Sequence, residues 1–155
     1  MNTVLRGAIA GIAGTVLMSV PVFASQRLGL FRTAPPVEIS ASLARKTPVL
    51  PSSSSSAFSL AWPVLHLAYG AAGGIIFSMI RRSMQESTDM QTVGSGLLFG
   101  GAVWGGSYLG YLPRIHLYPA PEDDARSRIA VMLIAHAIYG ITVAVVDEYM
   151  SAGER

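Results

Sequence analysis

The chain has 155 residues, of which 51% are hydrophobic and only 13% charged, about half the charged share of an ordinary globular domain. A formal charge of +2, with no basic run interleaved with aromatics, argues against a nucleic-acid partner. The lack of cysteine excludes disulfides, thiolate nucleophiles, iron–sulfur clusters and cysteine-based zinc sites.

Four charge-free apolar runs follow one another: "GAIAGIAGTVLMSVPVFAS" (Gly7 to Ser25), "FSLAWPVLHLAYGAAGGIIFSMI" (Phe58 to Ile80), "QTVGSGLLFGGAVWGGSYLGYLP" (Gln91 to Pro113) and "IAVMLIAHAIYGITVAVV" (Ile129 to Val146). Each is 18 to 23 residues long, and a helix needs about 20 to cross a hydrocarbon core of about 30 Å. The expectation is one all-α, polytopic membrane domain over 1–155, with four transmembrane helices and the lipid bilayer as its surroundings. The first run follows Arg6, and "VFA" offers small residues at a cleavage position. It lacks a polar linker and shares the glycine patterning of the third run, so it is expected to stay as a helix rather than leave as a signal peptide.

The long connection after the first run carries Pro35-Pro36 and the amphipathic stretch "VEISASLARK", expected to lie on the membrane surface. The serine run at 51–56 reads as a flexible spacer. Arg81-Arg82 closes the second run, and "PAPEDDAR" precedes the fourth, where Asp123 or Asp124 is expected to cap the helix.

An internal repeat emerges. "RLGLFRTAPP" (Arg27 to Pro36) resembles "RIHLYPAPED" (Arg114 to Asp123), and each copy leads to a helix bearing H-x-x-Y-G: "HLAYG" at 66–70 and "HAIYG" at 136–140. The halves 1–82 and 91–149 therefore read as two tandem helix hairpins in parallel orientation, related by an axis along the membrane normal. Seven of the 11 Lys and Arg residues fall in the loops 26–57 and 114–128, and four, including Arg155, on the other side. That balance places those loops in the cytoplasm.

Together the motifs "GAIAGIAGTV…APP", "GLLFGGAVW…PAPED" and "AHAIYG" resemble the YagU-like bacterial inner-membrane proteins, an uncharacterised family. The resemblance implies the four-helix topology and a bacterial inner membrane. It carries over no catalytic residue.

Fourteen of the 16 glycines lie in the four runs. Small residues four apart let helix backbones approach closely in lipid. Glycines on several faces of the third run predict a central position for that helix, or a face for a homo-oligomer or larger membrane complex. Pro21 is expected to kink the first helix.

His66 and His136 fall at similar depth, with Tyr69 and Tyr139 beside them and Gly70 and Gly140 one turn on. Trp104 falls mid-span and completes this candidate polar network. Three readings apply. In the first, preferred one, each imidazole bonds a tyrosine, tryptophan or backbone carbonyl on a neighbouring helix and fixes register. In the second, the pair ligates a b-type haem, the glycines making room for the macrocycle. In the third, the histidines serve a proton or small-solute path, although no Asp, Glu, Lys or Arg falls inside the apolar runs to accompany them.

Arg114, His116, Glu122, Asp123 and Asp124 form a second candidate site at headgroup level, with a solvated helix start as the plainer reading. "EDDAR" has the acidic-Ala-Arg core of membrane phosphatidyl-transferases, but the glycine and later aspartates of that metal site are missing. No metal ligands are assigned. No spacing supports a Ser-His-Asp triad or a phosphate-cradling loop. The preferred function is non-enzymatic: an accessory or partner-binding membrane bundle.

Overall fold

The computed structural model describes residues 2–82 and 88–153. Arg155, counted above, lies outside them. Helix α1 spans Thr3–Arg27, α2 Pro35–Lys46, α3 Phe58–Arg81 and α4 Asp89–Trp104. A π-helical segment, Gly105–Tyr111, continues α4 into the short α5, Leu112–Arg114. A 3-10 turn at Pro121–Asp123 then leads to α6, Arg126–Ala152. No strand occurs among the described residues.

Local chemistry sets the boundaries. The Asn2 side chain accepts the Val4 amide at 2.7 Å and caps α1. Thr88 and Gln91 form a reciprocal capping box at the start of α4. Pro35 and Pro36 open α2, where a missing amide proton costs nothing. After α1 the chain turns through Gly29, at φ 78°, in a left-handed conformation that suits glycine. After α5 it turns through His116, at φ 54°, the only non-glycine at positive φ among the described residues. Pro21 lies inside α1, which runs on as one helix to Arg27.

Among the described residues three helices, α1, α3 and α6, are long and apolar enough to cross a membrane. This corrects the expectation of four regular helices in two respects. Among the described residues there are five helical rods, because the amphipathic stretch after Pro35, expected on the membrane surface, forms α2, which packs on α3. The third apolar run is not a single α-helix. Its regular part is 16 residues long, and the glycine-rich remainder takes π-helical form.

In space the helices follow the order α3, α1, α6, α4. The third run was expected at the centre; the centre is the α1–α6 pair, and α4 lies outside it. Glycines explain the tight pairs. On α1, a side chain at Gly11 would overlap the Gly70 backbone of α3. On α4, a side chain at Gly96 would lie 2.6 Å from the Gly140 oxygen of α6, and one at Gly140 would lie 2.7 Å from the Gly100 nitrogen. By contrast Gly94, Gly101, Gly105 and Gly106 face open space, so most glycines of the third run make no helix contact.

The apolar core lies along α1 and α6, with Ala10, Val22, Ala135, Tyr139, Val143 and Ala144 almost fully enclosed. A smaller cluster of Tyr108, Leu112, Leu117 and Tyr118 closes the loop-bearing end beneath α2.

Candidate functional site

Helices α3 and α4 flank the central pair and leave a space between them. It forms a cavity of about 460 Å³, walled by α1, α3, α6 and the π-segment and roofed by Pro36, Ile39 and Leu43 of α2. His66, Tyr69, Trp104, Tyr111, His136 and Tyr139 all line it. Among the described residues no Asp, Glu, Lys or Arg does, and the walls are overwhelmingly apolar. Apolar concavity with a few convergent polar groups is the usual build of a small-molecule site.

His136 is buried on α6, and its Nδ1 donates to the Met132 carbonyl one turn back at 2.8 Å. A carbonyl can only accept, so the proton is on Nδ1 and the Nε2 lone pair is left free. His66 makes no hydrogen bond among the described residues, and it lines the same cavity as His136. Among the described residues neither imidazole makes the bond to a tyrosine, tryptophan or carbonyl of a neighbouring helix that the preferred reading expected.

The tyrosines bond elsewhere. Tyr139 donates to the Gly70 carbonyl at 2.7 Å and ties α6 to α3. Tyr111 donates to the Tyr69 hydroxyl at 2.9 Å and ties the π-segment to α3. The Trp104 ring stacks on Tyr108 at 5.6 Å between centroids. Its indole N–H is buried without a hydrogen-bond partner among the described residues, a costly state for a donor in apolar surroundings. Gly70 and Gly140 do not make room beside the histidines. They are the points of closest helix approach, Gly70 to Thr15 and Gly11, Gly140 to Gly96 and Gly100.

The second candidate site is not assembled. Arg114 bonds the Gly110 carbonyl at the surface, and His116, Glu122 and Asp123 are exposed. Asp124 turns inward, accepting from Tyr108 at 3.0 Å and pairing with Arg128 at 3.2 Å. It does not cap α6; Ala125 holds that position without a side-chain bond. Arg128 is the hub of this end. It pairs with Glu38 of α2 at 2.9 Å, donates to Tyr118 at 3.0 Å and lies over the Phe31 ring. Burial pushes the Tyr118 phenol up to about 12, against the opposing pull of Arg128, so it stays protonated.

Sequence reasoning missed a third cluster. Arg6 Nε donates to Asp147 at 2.8 Å, and Ser78 bonds the same carboxylate oxygen. Arg6 is 9% exposed and Asp147 2%. Arg81 pairs with Glu148 beside them. The helices extend past the apolar runs, so these edge charges lie inside the bundle. The apolar runs themselves hold no charge; the buried charges flank them. The signal was available: Arg6 immediately precedes the run that starts at Gly7, and Asp147 immediately follows the one that ends at Val146.

Among the described residues no three His, Asp or Glu side chains gather as a metal site. No curated protein and no solved structure matches the chain. The family model described as a family of unknown function, DUF6789, matches residues 1–155, without a specific link to the YagU-like proteins that the motifs resemble, and the chain belongs to that family.

Proposed function

We propose that this protein is a small integral membrane bundle that acts by binding rather than by catalysis, and that its cavity holds a small neutral ligand. One observation carries the reading. Two histidines from separate helices line a single apolar cavity, one with its Nε2 lone pair free, beside an indole N–H that has no partner. A purely structural bundle gains nothing from leaving these groups unpaired. Association with a membrane partner or a second copy remains compatible with this role.

The proposed topology is four crossings, with α4, the π-segment and α5 as the fourth. It is supported by the close packing of α4 along α6, itself apolar and long enough to span. The tandem-hairpin reading is also kept. Gly29 and His116, which occupy matching places in the two similar stretches, share a positive φ. Gly11 meets Gly70 as Gly96 meets Gly140. From Gly11 to Arg27 is 16 residues, and from Gly96 to Arg114 is 18. A π-helical segment is how a helix absorbs such extra residues. The resemblance to YagU-like proteins suggests a bacterial inner membrane, and the Lys and Arg balance suggests that loops 26–57 and 114–128 are cytoplasmic.

A second reading has one supporting observation: His66 and His136 share the cavity, so a b-type haem would be held by these two imidazoles and would supply one-electron chemistry. The glycines do not favour it, since they are filled by neighbouring helices. A proton or small-solute path has less support, because the embedded Arg6–Asp147 pair does not line the cavity.

The test is mild-detergent purification, with an absorption spectrum and native mass spectrometry on one sample. A colourless protein with a stoichiometric small-molecule adduct supports the binding reading. A Soret band lost in His66→Ala supports the haem reading. Bare protein without adduct or colour contradicts both.

A further inference from the structure

The cavity has one weak wall. Along most of their length α3 and α4 are separated by the central pair. Phe77 and Phe99 meet across the gap at 5.0 Å between centroids and close its lower half. Above them, among the described residues, the hydrogen bond that joins α3 to the π-segment is Tyr111 to Tyr69. Both tyrosines line the cavity and are also well exposed, Tyr69 at 49% and Tyr111 at 41%. Tyr69 lies within α3, an apolar span, so its exposed edge faces lipid. Hydroxyls there are costly unless they satisfy each other, which accounts for the pair and makes it, among the described residues, the polar tie between α3 and the π-segment.

The interior chemistry narrows the occupant. With no charged side chain in the lining, an ionic ligand would enter without a counter-charge, at large desolvation cost. The free donors among the described lining residues include the Trp104 N–H and the Tyr69 hydroxyl proton, which is left over once Tyr69 accepts from Tyr111. The free acceptor is His136 Nε2, and His66 can serve as either. A head that both accepts and donates hydrogen bonds, mounted on a flat ring that stacks against the Trp104–Tyr108 pair, satisfies them together.

We infer that the cavity takes a lipid-soluble ligand of the quinone or quinol class, admitted from the bilayer through a side opening between α3 and the π-segment that the Tyr69–Tyr111 hydroxyl pair holds closed. The inference rests on the ligand-binding reading above and adds the ligand's class and its route. A quinone carbonyl accepts from Trp104 or Tyr69, and a quinol hydroxyl donates to His136. No redox step on the protein is implied.

The chain has two tryptophans and no cysteine, which makes the test clean. In Trp62→Phe protein, Trp104 is the sole tryptophan, and in Trp104→Phe protein Trp62 is. Both are placed in lipid nanodiscs and titrated with a decyl-tailed benzoquinone, which quenches indole fluorescence. The expected result is saturable quenching of Trp104 and merely linear, partition-driven quenching of Trp62. In the Trp62→Phe background, Tyr69→Phe with Tyr111→Phe should speed quinone exchange about fivefold, the size expected for one lost hydrogen bond. Tyr69→Cys with Tyr111→Cys, joined by a bismaleimide, should slow it. Melting curves check that each variant is folded. Linear quenching of both tryptophans overturns the ligand class. If native mass spectrometry then still shows another bound molecule, the cavity reading survives without it; if nothing is bound, both fall. Saturable quenching with exchange unaltered by both the Phe pair and the cross-link overturns the side opening.

Discussion

At the scale of single residues, the most consequential positions are those where a small change meets backbone. Gly140 leaves no room: an added methyl would meet the Gly96 carbonyl oxygen and the Gly100 nitrogen and Cα. Neither can yield without moving α4. Gly140→Ala should therefore destabilise the bundle by about 1–3 kcal/mol in a detergent-unfolding titration. Gly101→Ala, with nothing within 4 Å, should be neutral or stabilise by up to about 1 kcal/mol through helix propensity. Equal effects at the two positions would show that α4 and α6 do not pack as described. The buried carboxylate of Asp147 makes a second case. Arg6 and Ser78 both address it, and α1, α3 and α6 meet there. Asp147→Ala should cost about 3–5 kcal/mol, because it breaks a buried, hydrogen-bonded ion pair, while Arg6→Met with Asp147→Leu should recover much of that loss. A single mutant as stable as the native chain in the same titration would mean that the pair is not enclosed.

At the scale of elements, the π-segment positions the site. Ser107 donates to the Val103 carbonyl at 2.6 Å within it, satisfying a backbone group beside the change of helical repeat. The segment directs Tyr108 to Asp124, and Tyr111 to Tyr69. Deleting Gly106, which contacts nothing, removes one residue and rotates everything beyond it by about 100° relative to α4. Both tyrosine bonds should then be lost. The measurable outcome is weakened ligand binding with helical circular dichroism retained; binding equal to that of the native chain would show that the π register has no part in the site. Much at this scale was legible in the sequence. Apolar runs of spanning length announced α1, α3 and α6, and the Pro35-Pro36 start with an amphipathic pattern announced α2. The π-segment was not legible, because glycine spacing reads alike in an α-helix and in a widened turn. Nor was the use of each glycine. Five i, i+4 pairs looked equivalent in the sequence, yet Gly7/Gly11, Gly70/Gly74 and Gly96/Gly100 are packed while Gly101/Gly105 is open. Only the arrangement of neighbours decides that.

At the scale of the whole molecule, the helices form a bundle held at both ends and hollow between them. Arg6–Asp147 and Arg81–Glu148 fasten one end, and Arg128 with Glu38, Asp124 and Tyr118 fastens the other. Between the fastenings, the matching places of His66 and His136 in their apolar runs could be read from the sequence. Their shared cavity could not, since it depends on α3 and α4 standing apart. The charges of the fastenings were visible only as run-edge residues, and their pairing needed the register of α1 against α6. Four crossings require both termini on one side of the membrane, whereas α4 failing to cross would put them on opposite sides. Because the chain lacks cysteine, Asn2→Cys and Ser151→Cys can be labelled singly in sealed vesicles. The expected outcome is equal accessibility from one side, and opposite accessibility would remove α4 from the membrane.

The central claim is that the space between the helices is a binding site and not a packing fault. Native mass spectrometry of the 16.4 kDa chain, released from its own membrane, tests this most directly when the native protein is compared with Ala68→Trp, which places a large ring where Ala68 lines the cavity. The account predicts a one-to-one small-molecule adduct on the native chain and its loss from the folded variant. An adduct of unchanged occupancy on Ala68→Trp, or a bare mass for the native chain, would contradict it.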